Sequence, residues 1–156
     1  MNIIDILDEN RIRCQTRANS KKRALEILSE LLATDSEGVE QVAVFDTLLN
    51  REKLGSTGLG FGAAVPHGRF EHIKKPIAAT VTLETPVNFD AIDSQPVDLL
   101  VALLVPEDSS DDHIKLLAQL AEAFSTENFR QNLRKARDPK SVLKLFVLNI
   151  TQHKAA

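Results

Sequence analysis

The seven residues 99–105, LLVALLV, carry no polar side chain. The run is far too short to span a bilayer. It reads as a β-strand apolar on both faces, which must be covered from both sides. A chain built around such a strand needs a layer above it and a layer below it. With 156 residues it suffices for one such domain, at a size where folding buries about 68–70% of the surface the unfolded chain exposes.

The rest of the pattern supplies those layers. Ser20 is placed to cap a helix running to about Ala33, with Ala24, Leu25, Leu28, Leu31 and Leu32 at helical spacing. A second helix is expected from about Val39 to Arg51, with Val42, Phe45, Leu48 and Leu49 on one side. Prolines at 66, 76, 86, 96 and 106 then punctuate short strands, among them the β-rich residues 77–83. Ser110 or Asp111 caps a helix to about Ser125, whose expected buried stripe is Ile114, Leu117, Ala118, Ala121 and Phe124. Thr126 starts a short helix holding Phe129 and Leu133. Asp138-Pro139 starts a last one with Val142, Leu145 and Phe146. Helices, then strands, then helices predict an α/β (α+β) fold, a three-layer α/β/α sandwich with a mixed central sheet. One domain is expected over residues 4–149, with a polar C-terminal tail at 150–156.

Composition excludes several functions. Lys and Arg number 19 against 22 Asp and Glu, a formal net charge of −3, so no basic face for nucleic acid is expected. Trp and Tyr are absent, and Cys14 has no partner for a disulfide. The start, MNIIDILDEN, carries acids where a secretory signal carries bases. A cytoplasmic protein that does not insert in a membrane is expected.

Chemistry concentrates in one window. Five of the six glycines (55, 58, 60, 62 and 68) fall in LGSTGLGFGAAVPHGR, which implies unusual backbone there. The window is neither a P-loop nor G-x-G-x-x-G, because no Gly-Lys-Ser/Thr ends it and Val65 stands where the last small residue belongs. His67 sits inside it between Pro66 and Gly68, on a constrained turn where neutral imidazole would act as a nucleophile or simply satisfy backbone. Arg51, just before the window, either offsets a helix dipole or clamps a phosphoryl group. His113 sits at the first turn of the helix after the central strand. Ser56 and Thr57 offer hydroxyls, and Gly58 and Gly68 offer backbone, for cradling phosphate or for shaping the turn. Leu59, Phe61 and Phe70 read as core or as an apolar rim for docking a protein. His72 reads as surface. His67, His113, Asp111 and Asp112 could ligate a metal, but no short-spaced ligand motif is present, and neither metal nor cofactor is expected. A bare binding module with an unused loop is the non-enzymatic alternative.

REKLGSTGLGFGAAVPHGR followed by FDAIDSQPVDLLVALLVPEDSSDDHIKLLAQLAEAF closely resembles the IIA domains of the fructose/mannitol class of the bacterial phosphoenolpyruvate-dependent phosphotransferase system. The length and DAIDSQPVDLLVALLVP look most like its nitrogen-branch regulatory members. The resemblance implies a mixed sheet between helices. It also implies that His67 accepts a phosphoryl group, as a tele-phosphohistidine, from a histidine phosphocarrier protein, with His113 and Arg51 stabilising it. It implies regulatory protein targets downstream, such as potassium transporters and sensor kinases. The alternative within the family is a sugar-specific component that passes phosphate to a IIB domain.

Overall fold

The computed structural model describes residues 1–109 and 111–155, with side chains through residue 152. Ser110, one of the two caps expected for the third helix, lies outside the described residues. The chain opens with a single 3-10 turn, Ile3–Asp5, and a strand β1, Leu7–Thr16. Helices α1, Lys21–Ala33, and α2, Gln41–Lys53, follow. Three short strands come next: β2, Gly58–Gly60, β3, Ala63–Ala64, and β4, His67–Phe70. The long strands β5, Ile77–Val87, and β6, Val97–Pro106, precede α3, Asp112–Phe124, α4, Glu127–Lys135, and α5, Pro139–Ala155. The last helix takes in most of the residues expected as a polar tail.

The six strands make one mixed sheet in the order β1-β5-β6-β3-β2, with β4 also paired to β6. Its centre is β6, and alternation along that strand explains why all seven residues of 99–105 are apolar. Leu99, Val101, Leu103 and Val105 enter one core, shared with α3, α4 and α5. Leu100, Ala102 and Leu104 enter the other, shared with α1 and α2. The three-layer sandwich with a mixed sheet is thus the observed architecture.

Local side-chain caps account for the starts of α1 and α5, whereas Glu40, Asp111 and Thr126 make no side-chain capping bond before α2, α3 and α4. The Ser20 hydroxyl accepts from the Arg23 N–H at 3.1 Å and caps α1. The Asp138 carboxylate accepts the backbone N–H and the hydroxyl of Ser141, each at 2.9 Å, and so opens α5.

Three expectations need correction. β1 was not foreseen: it is an edge strand, parallel to β5 with breaks in register, and its LDENRIRCQT buries little beyond Leu7 and Ile12. In α2, Val42 faces solvent and Val44 is buried in its place. The α3 stripe is displaced by one residue, because Leu116, Leu120, Ala123 and Phe124 are buried while Ile114, Ala118 and Ala121 are exposed. Apolar residues nearly encircle that helix, so periodicity alone does not choose a face.

Candidate functional site

β3 and β4 lie end to end along the same edge of β6. Ala63 and Ala64 pair with Leu99 and Leu100, and residues 67–70 pair with 103–106. Val65 and Pro66 interrupt the ladder between them. The Leu103 N–H is satisfied by the Pro66 carbonyl at 2.9 Å, and the Val65 N–H turns back to the Thr57 carbonyl at 3.1 Å. This break leaves the Val65 carbonyl available to the histidine that follows. His67 Nδ1 lies 2.8 Å from that oxygen. A carbonyl can only accept, so Nδ1 carries the proton and the lone pair is on Nε2.

His67 is half-buried, and burial is the chief reason its pKa lies below the usual 6.5. The Val65 hydrogen bond opposes that shift, Arg51 and His113 reinforce it, and Glu52 opposes it. The ring is therefore neutral at physiological pH, as a nucleophile requires. Between the unfolded and folded midpoints the unfolded chain binds the proton more readily. The stability that His67 contributes is thus intact above about 6.5 and is lost as the pH falls through its lower folded value. An NMR titration of the imidazole is expected to give a midpoint below that of a free histidine. A midpoint above 6.5 would contradict this environment.

Two of the groups that act electrostatically on the ring come from other elements. Arg51 comes from the last turn of α2, and His113 from the first turn of α3, so three separate elements converge. The Arg51 guanidinium is moored by Nη1 donating to the Gly55 carbonyl at 2.9 Å. His113 is half-buried and its Nδ1 has no hydrogen-bond partner in the described structure.

The glycine window is stitched inward rather than left open. The Ser56 hydroxyl donates to the Phe89 carbonyl at 3.1 Å and accepts from the Gly58 N–H at 3.1 Å. The Thr57 N–H reaches both Glu52 carboxylate oxygens at 3.3 Å, and the Thr57 hydroxyl donates to the same carboxylate. Gly58 and Gly68 are small because neighbours approach closely. A Cβ at Gly58 would lie 2.9 Å from that of Ala91, and one at Gly68 would lie 2.6 Å from the Thr47 methyl group. The hydroxyls of Ser56 and Thr57 and the N–H groups of Thr57 and Gly58 are spent on the fold. These bonds tie Ser56, Thr57 and Gly58 to neighbouring main chain and to Glu52, while Gly68 stands opposite Leu104 in the sheet.

The rim also differs from expectation. Leu59 and Phe61 are exposed, but Phe70 is 5% exposed and belongs to the core under α1 and α2, so it presents nothing to a partner. Further apolar side chains, Leu54, Ile92 and Ile114, stand in solvent on segments next to the window or to His113. Phe61 adopts φ 58°, an uncommon conformation for a bulky residue. Its N–H donates to Asp93 at 3.2 Å and its carbonyl accepts from Arg134 Nη2 at 2.9 Å. The guanidinium of Arg130 lies 4.4 Å from its ring centroid. Gly62 follows at φ 83°, where a Cβ would fall 2.6 Å from Arg134 Nη2 and 3.0 Å from Asp98 Oδ1. Gly62→Ala is accordingly expected to cost on the order of 1–3 kcal/mol, read as a lower urea midpoint. An unchanged midpoint would show that the Arg134–Asp98 pair yields freely.

Sequence reading missed Glu52, Lys21, Arg130 and Arg134. Only Glu52 left a signal. A carboxylate in the last turn of a helix works against the helix dipole, so its presence there called for a local cation. Among the described residues no group of three or more His, Cys, Asp or Glu is arranged to hold a metal, and no helix is long and apolar enough to cross a membrane.

Comparison with known proteins gives consistent results. The family model described as "Phosphoenolpyruvate-dependent sugar phosphotransferase system, EIIA 2" matches residues 5–148. A "Nitrogen regulatory protein" of Klebsiella oxytoca is 42% identical over 146 residues, covering 93% of this chain and 90% of that one. Among solved structures, the nitrogen regulatory protein IIA-Ntr of Neisseria meningitidis superposes with a TM-score of 0.87 at 39% identity, covering 92% and 98% of the two chains. The IIA mannitol protein of Escherichia coli gives a TM-score of 0.75 at 25% identity, covering 89% and 97%.

Proposed function

This chain belongs to the EIIA 2 family of the phosphoenolpyruvate-dependent sugar phosphotransferase system, and on that premise we propose that it carries a phosphoryl group on His67 Nε2 and signals through the presence or absence of that group. The observation that carries this reading is the Nδ1–Val65 contact at 2.8 Å, which directs the lone pair to Nε2. The donor is a phosphorylated histidine phosphocarrier protein. The Nε2 lone pair attacks phosphorus in line as the donor's P–N bond breaks. The bonding pair returns to the donor's ring nitrogen, and no proton has to be supplied. Such a transfer depends on positioning and charge stabilisation. Arg51 and His113 face the equatorial oxygens, with the remaining N–H donors of Arg51 suited to a planar, multidentate grip.

The downstream role is regulatory. Names among the relatives at 37–42% identity favour the nitrogen branch over a sugar-specific component. Targets of the potassium-transporter and sensor-kinase kind would read the phosphorylation state in the cytoplasm. A phosphoryl group adds about −1.5 to −2 charges to a protein that leaves Leu59, Phe61 and Ile114 exposed. A partner that lays apolar or acidic surface over His67 therefore binds the unphosphorylated form. The test is to incubate the protein with phosphoenolpyruvate and the upstream carriers and to map the product. One acid-labile phosphate on the peptide containing His67 is expected. Phosphate on another residue, or none, would overturn the assignment.

A further inference from the structure

Three stretches distant in sequence, at Lys21, at residues 52–57 and at Phe89, meet around one buried ion pair. Lys21 Nζ lies 2.9 Å from Glu52 Oε2, and the Glu52 side chain is 2% exposed. Lys21 begins α1, and Glu52 sits in the last turn of α2, next in sequence to Arg51. The same carboxylate takes the backbone N–H and the hydroxyl of Thr57, at the start of the glycine window. Lys21 Nζ also donates to the Phe89 carbonyl at 3.2 Å and lies 4.5 Å from the centroid of the Phe89 ring. The Ser56 hydroxyl reaches that carbonyl from the other side at 3.1 Å. The cluster thus links α1, α2, the window and the segment between β5 and β6.

We propose that the Lys21–Glu52 pair is a positioning device for phosphoryl transfer, holding the window and the end of α2 in the single arrangement that places Arg51 beside His67. This rests on the reading of His67 as the acceptor. Two arguments separate it from a bridge that serves the fold alone. A buried ion pair is seldom the most stabilising choice, since matched apolar side chains in its place are often neutral or better. The pair's further hydrogen bonds go to the window and to main chain, to Thr57 and to the Phe89 carbonyl that Ser56 shares, and its one core contact is the face of the Phe89 ring. Glu52 further acts on His67 through space. The groups that bear electrostatically on the ring are Arg51, Glu52 and His113, and Glu52 is the one acid among them. The carboxylate thus has two effects. It fixes the loop by hydrogen bonds, and its charge opposes that of Arg51 at the nucleophile.

Two variants separate these effects from mere stability. Glu52→Gln keeps an oxygen for Thr57 but removes the charge. Lys21→Met/Glu52→Gln removes both charges at similar volume and leaves no unpaired ion. Both are purified as the full chain and checked by circular dichroism and thermal melting. The His67 imidazole is then titrated by NMR, and single-turnover transfer from the phosphorylated carrier is measured against carrier concentration. In Glu52→Gln the His67 midpoint is expected to move further down. In both folded variants the saturating rate is expected to fall about tenfold or more, with the half-saturating carrier concentration changed less than about threefold, as for an interaction realised in the transition state. A folded double variant that transfers at the wild-type rate would overturn the proposal, as would an unmoved His67 midpoint in folded Glu52→Gln. Absence of any phosphohistidine in the wild type would instead defeat the assignment of His67. The titration does not depend on phosphorylation, so the two failures are distinguishable.

Discussion

His67→Gln is expected to fold normally and to accept no phosphoryl group. The fold tolerates it because His67 is held in β4 by main-chain pairing with β6 opposite Leu103, and its ring is only half-buried. The glutamine amide can still donate to the Val65 carbonyl, so the one side-chain hydrogen bond given by the histidine has a replacement. Nothing replaces the nucleophile, because the amide nitrogen has its lone pair delocalised into the carbonyl. Loss should therefore be complete, unlike removal of a stabilising donor, which slows a preorganised site by about 10²–10³. The measurement is phosphate incorporation from phosphoenolpyruvate through the upstream carriers, with thermal melting as the check on folding. Acid-labile phosphate on the folded variant would move the acceptor to another histidine. His113 is the one to examine, since it is within electrostatic reach of His67 and its Nδ1 is unpaired.

What the sequence revealed divides along physical lines. The central strand was legible because burial on both faces leaves a continuous apolar run, and no other element has that pattern. The Ser20 cap and the Asp138-Pro139 start were legible because a capping side chain acts within three residues of itself. β1 was not legible. An edge strand with three solvent-facing residues in succession, Asp8, Glu9 and Asn10, shows no alternation, and it pairs with a strand some seventy residues away. The face of α3 was missed for the opposite reason, an excess of apolar positions. His67, Arg51 and His113 could be singled out as candidates because histidine and arginine at turns stand out chemically, but their roles came only from the family resemblance. Phe70 was left open between rim and core, because an apolar residue near a site looks the same in sequence whether it faces a partner or the core, and the structure puts it in the core. The joining of Glu52, Lys21, Phe89 and Thr57 into one cluster was hidden, although Thr57 and the carboxylate of Glu52 could each be noticed alone. The members of the cluster lie in α1, α2, the window and the segment before β6, and only the three-layer packing brings them together.

The second large effect falls on Arg51. Arg51→Met keeps a long apolar stem at the end of α2 and removes every guanidinium donor. Phosphoryl transfer is expected to slow by about 10²–10³, with modest loss of stability. The stability term is small because a single side-chain hydrogen bond, here to the Gly55 carbonyl, contributes about 1 kcal/mol. Part of that is recovered by water, since the bond lies in a solvent-exposed setting. The rate term is large because the phosphoryl oxygens carry their charge close to where a fixed cation would meet them, and a flexible replacement must be reorganised in each encounter. Arg51→Lys should recover only part of the rate, since an ammonium restores charge but not the planar fork. The His67 midpoint gives an independent signature. Arg51 helps hold that pKa down, so in Arg51→Met it should rise toward 6.5, and in Arg51→Lys it should rise less. A methionine variant with an unchanged His67 midpoint and a rate within threefold of wild type would show that Arg51 only closes its helix. A fallen rate with a risen midpoint would place the guanidinium at the phosphoryl site, with the Gly55 carbonyl as its mooring.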